Sequence, residues 1–189
     1  MSNFFKETDI DTSQAEAIVT ETLKNCDDGE LYLENHKSES IVLDDNKIKS
    51  STYNSDQGYG FRAVTGEVVA YSHSNDISKE SLRKSSENLK DTLKSKKGTY
   101  NHEIPKTNNK YYENINPIES KTFDSKIDLL NSVNNYLRSK GSIVNQVTAN
   151  FLGEHKSIEI IRSDNQVLKD DRPLVLSLIH ISEPTRLRS

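Results

Sequence analysis

Tyr53–Ser74 reads YNSDQGYGFRAVTGEVVAYSHS, with Gly58, Gly60 and Gly66 set among aromatic and β-branched residues. A Gly-x-Gly pair can cradle phosphate when it follows a strand and opens a helix whose N-terminus meets the pyrophosphate. Here Gly60 runs into Phe61, Arg62, Ala63 and Val64, which predicts strand rather than helix. No Gly-Lys-Ser/Thr follows to make a P-loop. The glycines are therefore expected to serve hairpin turns and close strand approach, positions that other residues adopt poorly. Thr65-Gly66-Glu67 turns YGFRAV (59–64) into VVAYSHS (68–74). Connections this short pair strands antiparallel, because a parallel crossover needs about a dozen residues.

Working outward, LYLEN (31–35), SIVL (40–43) and IKSSTY (48–53) read as further short strands. DDNK (44–47) and NSDQG (54–58) read as turns between them, through Asx chemistry. A helix over 13–26 precedes the strands, with Ser13 and Glu16 at capping-box spacing and Ala15, Ile18, Val19, Thr22 and Leu23 on one face. Gly29 is its expected left-handed stop. A second helix, 78–95, carries the stripe Leu82, Ser85, Leu89 and Leu93 and ends near Gly98, with Lys90, Lys94, Lys96 and Lys97 at its C-terminal end. The class is thus α+β: an antiparallel sheet module flanked by helices over 1–98.

Residues 99–122 show neither period and contain two prolines and five asparagines, which marks a linker. A third helix, 125–140, follows, with Ser125 and Asp128 at capping spacing and Ile127, Leu130, Val133, Asn134 and Leu137 as its stripe. SIVNQVTANFLG (142–153) alternates, EHKS connects it to IEIIR (158–162), and DRPLVLSLI (171–179) begins another strand. This start of a second α+β module, 123–177, leaves strand edges such as Val175 and Ile179 uncovered, so the chain is expected to associate.

The bulk numbers narrow the classes. Hydrophobic residues make up 32% and mean hydropathy is -0.77, polar for a compact protein. Twenty-five Lys and Arg against 29 Asp and Glu give a net charge of -4, which argues against a general nucleic-acid binder. One cysteine, Cys26, precludes an intrachain disulfide and suits a reducing cytoplasm. No apolar run approaches the roughly 20 residues that cross a bilayer, and MSNFFKETDID is too polar for a signal peptide. The expected location is cytoplasmic, with no membrane and no nucleic-acid partner.

No constellation carries catalysis. His36, His73, His102, His155 and His180 include no pair at i, i+4 spacing. HEIPK (102–106) begins like a zinc-protease helix, but Lys106 stands where the second histidine belongs and Pro105 breaks the helix. Cys26 lacks a fixed basic partner to activate it and reads as helix-end packing. The lysine-aromatic run KDTLKSKKGTYNHEIPKTNNKYY could touch single-stranded nucleic acid, yet the acidic balance favours a solvated helix end and linker. Asp27-Asp28, Asp44-Asp45 and Asp170-Asp171 read as turn formers.

GELYLENHKSESIVLDDNKIKSSTYNSDQGYGFRAVTGEVVAYSHSNDIS (29–78) strongly resembles the N-terminal domain of the TldD/PmbA family, bacterial and archaeal proteins once called modulators of DNA gyrase. The family pattern runs from G-[DE]-L-Y through V-L-[ED]-[DN] and a DQG-x-G-x-RA-x-[ST]-G core to [DN]-x-[IL]-S. VNQVTANFLGEHKSIEIIRSDNQVLKDDRPLV (144–175) resembles the start of the family's middle domain. DQGYGFRAVTGE and DDRPLV are closer to the TldD branch than to the PmbA branch.

The resemblance implies a zinc metallopeptidase that cuts or trims unfolded peptides inside a chamber, as a TldD-type subunit joined to a PmbA-like or identical one. Microcin precursors and antitoxins are the associated substrates. It also implies that zinc is held by a His-Glu-x-x-x-His helix and further ligands in a C-terminal domain. That motif matches no position here, so no catalytic, cofactor-binding or metal-binding residue is carried onto this sequence. The chain alone is expected to be inactive and to bind no zinc; a non-catalytic peptide-binding or assembly module of the same fold is the alternative. After RPLVLS (172–177) the chain departs from the family pattern: LIHISEPTRLRS (178–189) resembles translated sequencing-adapter read-through, an expected non-native tail.

Overall fold

The computed structural model describes residues 4–6, 8–94, 97–99, 113–162 and 166–183. Its elements are α1 (Thr12–Leu23), β1 (Asp28–Asp44), β2 (Lys47–Thr65), β3 (Val68–Ser74), α2 (Lys79–Leu93), α3 (Phe123–Arg138), β4 (Gln146–Arg162) and β5 (Val167–Ser182). The strands form an antiparallel five-stranded sheet in the order β3-β2-β1-β4-β5, as the sequence predicts in kind. The strands are longer than expected. NSDQG lies inside β2 rather than in a turn, HKSE does not divide β1, and EHKS does not divide β4. In each case ladder pairing with neighbouring strands outweighs the local turn preference of Asn, Asp and Ser.

Two compact units emerge, and they are not consecutive in sequence: the first comprises Met1–Asn35, Asp56–Glu113 and Lys156–Asp171, the second His36–Ser55, Asn114–His155 and Arg172–Ser189. Strands β1, β2, β4 and β5 each contribute to both.

In the first unit, α1 buries Ala15, Val19 and Leu23, and α2 buries Leu82, Leu89 and Leu93. They share a core with Leu31 and Leu33 of β1, Phe61 and Ala63 of β2, Ala70 of β3 and Ile161 of β4. A fully buried side chain of this size stabilises by about 1.5–3 kcal/mol relative to exposure. The helices are joined by the Thr22 and Ser86 hydroxyls at 2.6 Å, and the Tyr59 hydroxyl sits 2.8 Å from both Ser81 and Ser85. The cap of α1 lies two residues earlier than predicted: Asp11 accepts from the Gln14 amide at 2.8 Å, and Gln14 accepts from the Asp11 amide. A carboxylate at the positive helix end outcompetes the Ser13 hydroxyl, which instead donates to Asp11. Gly29 is the second residue of β1 and takes no left-handed conformation.

In the second unit, α3 covers a smaller core of Ile41, Leu43, Leu130, Ala149 and Phe151. Thr122, not Ser125, caps α3, accepting from the Ser125 amide. Gly141, at φ 134, follows its end as expected. The β1–β2 connection is the predicted tight turn: Asp45 and Asn46 have φ of 49 and 68, the left-handed pair of a type I′ hairpin. Of the linker expected at 99–122, residues 100–112 lie outside the described residues; the described remainder includes a turn at 117–119 that buries Ile118.

Candidate functional site

The glycine stretch Tyr53–Ser74 spans the second half of β2, the turn after it and β3. The strand continues past Gly60 through Phe61–Val64, so no helix follows the Gly-x-Gly pair as a dinucleotide cradle requires. Gly60 pairs with His73, and a Cβ there would come 2.5 Å from the Tyr71 hydroxyl, whose ring lies across the position. Gly66, at φ 59, makes the hairpin turn. Both roles are backbone roles.

The same stretch also supplies Arg62, which alternation puts on the strand face opposite Phe61 and Ala63. Its Nε donates to Glu30 Oε1 at 2.9 Å and its Nη2 to Asp28 Oδ2 at 2.7 Å. Arg162 of β4 donates from Nη2 to the other Asp28 oxygen, also at 2.7 Å. Partial burial pushes the Asp28 carboxyl up, but the Arg62 hydrogen bond and the two guanidinium charges bring it below its ordinary range. The Glu30 hydrogen bond raises Arg62 in turn. Four charges on three strands thus balance in pairs, which suits fixing strand register more than acid-base chemistry. Sequence reasoning used Arg62 only as part of a motif; the alternation of Asp28, Glu30 and Arg62 was the available signal for the pairing.

The acidic doublets divide. Asp45 is a turn residue as read. Asp44 instead accepts from Gln146 and Thr148 of β4 and pairs with Lys49 at 3.0 Å, contacts that hold its carboxyl at about 2. Asp27 accepts from the backbone amides of Gly66 and Thr99. Asp28 belongs to the charge cluster, and Asp170 and Asp171 lie within β5, where Asp171 accepts from Ser157 at 2.6 Å. For Asp27, Asp28, Asp44 and Asp171 the turn reading is replaced by cross-strand or tethering bonds, and Asp170 is a strand residue.

The histidines scatter. His36 approaches Glu154 at 3.5 Å, His155 is 3.0 Å from the Asn114 side-chain oxygen, His73 stacks on Tyr71 at 5.8 Å, and His180 is exposed on β5. His102 lies outside the described residues. Cys26 is buried, and burial pushes its thiol up, opposite to what a nucleophile needs. A hydrolytic zinc takes three protein ligands and an open position. Among the described residues no three His, Cys, Asp or Glu side chains converge, and His36 with Glu154 lacks a third. These residues do not fit a zinc ion.

One site was missed from sequence. Lys126 of α3 is 4% exposed, pairs with Glu39 of β1, donates to the Ile118 carbonyl at 2.7 Å and lies 5.8 Å from the Phe151 ring centre. Helical spacing marks it only as a polar neighbour of Leu130, so nothing in the pattern signals burial. Beside it a recess of about 410 Å³ is lined by Pro117, Lys121, Leu129, Phe151 and Val175. It is mainly apolar, with Lys126 already neutralised, and can hold a nonpolar side chain but offers no reacting group.

Residues 29–94 match the family described as PmbA/TldA metallopeptidase domain 1. A protein of Buchnera aphidicola subsp. Acyrthosiphon pisum (strain APS) named Metalloprotease TldD homolog is 33% identical over 153 residues, 80% of this chain and 32% of its own length. The protein of that name from Haemophilus influenzae is 33% identical over 158 residues, with the same two coverages. The chain therefore spans 32% of the length of these curated relatives. Among solved structures, a proposed modulator of DNA gyrase from Bacteroides thetaiotaomicron aligns with a TM-score of 0.72 at 13% identity, over 96% of this chain and 43% of that one. TldE from Thermococcus kodakarensis aligns at 0.65 and 12% identity, over 92% and 40%. The structures share the fold; on the sequence matches, this chain belongs to the TldD/PmbA family.

Proposed function

We propose that this chain is the N-terminal, non-catalytic portion of a TldD-type metallopeptidase that degrades or trims unfolded peptides in the cytoplasm. The observation that carries the reading is the match at 33% identity to proteins named metalloproteases, over 80% of this chain and 32% of theirs. The metal, zinc on this reading, belongs to parts of such a protein that align with nothing here. The two units would serve as wall and contact surface for an oligomer with a PmbA-like or identical subunit; the likeness to TldE supports a related-subunit assembly in fold. No residue of this chain is assigned to chemistry.

Incubating the purified chain with zinc and an unfolded peptide should give no stoichiometric zinc by calorimetry and no cleavage products by mass spectrometry. Chelator-sensitive cleavage by the chain alone overturns the proposal. The second reading, a stand-alone peptide-binding or assembly module, draws on the edge strand β5 and on the part of β2 that precedes its register with β3, where most of 173–181 and residues 47–57 are exposed. Source DNA that runs in frame past codon 177 into a His-Glu-x-x-x-His segment rules it out, and a stop codon there favours it.

A further inference from the structure

We draw no further inference here: the strongest candidate, the apolar strip from Leu174 to Ile181 on the edge strand β5, has half-exposed side chains but nothing in the structure shows what covers it.

Discussion

Gly66 and Gly60 are both glycines for backbone reasons, but of different kinds, and substitution should separate them. At Gly66 an added Cβ meets nothing within 4 Å, so the whole cost of Gly66→Ala is its left-handed backbone, about 1–2 kcal/mol. At Gly60 the Cβ meets the far end of Tyr71, a side chain 64% exposed and free to swing outward. Gly60→Ala is therefore expected to lower the urea midpoint less than Gly66→Ala, and Gly66→Asn less than either Ala or Val at that position. The reverse ranking contradicts the assigned turn. Asp44 makes a second residue-scale prediction. Its carboxyl sits at about 2 against an ordinary 3.8, so the folded state binds its proton less readily than the unfolded state. The resulting stability is fully present above about pH 4 and is lost as pH falls toward the folded value. Asp44→Asn should flatten the acid limb of a stability-pH curve between those limits while leaving its slope near neutrality unchanged.

At the scale of elements, α3 is held to the sheet by an ion pair as well as by Leu130. Lys126→Met leaves Glu39, whose side chain is 11% exposed, as a buried charge without its cation, and should destabilise by about 3–5 kcal/mol. Converting Glu39 to Leu in the same chain should recover much of that loss, as read by denaturant unfolding; additive losses instead mean that the pair is not the coupling. The elements also show what was legible in the residues. The stripe Leu82, Ser85, Leu89 and Leu93 is buried throughout, because an amphipathic helix states its face by period alone. DDNK was readable because Asp45 and Asn46 tolerate positive φ. NSDQG was not: the same residue types occur in a strand exposed on both faces, where no hydrophobic alternation announces the ladder. Lys126 was illegible for a related reason, since its burial depends on Glu39, 87 residues away in sequence. The charge cluster around Arg62 needed three strands in register before its partners could be named.

For the whole molecule, the edge strand is the main liability. Val175 and Ile179 are 56% and 50% exposed on a terminal strand of the sheet, the arrangement that invites strand addition and association. The paired substitution Val175→Lys and Ile179→Lys should lower the mass of the purified chain by light scattering; an unchanged, monomeric mass in both chains contradicts the expectation. The sharing of β1, β2, β4 and β5 between two units has a further result, one that concerns synthesis rather than equilibrium. The first unit needs Lys156–Asp171 and the second needs Arg172 onward, so neither can close until β4 and at least the start of β5 have left the ribosome. Until β5 has emerged, the nascent chain therefore carries ladders that lack their last strand, transient edges open to association.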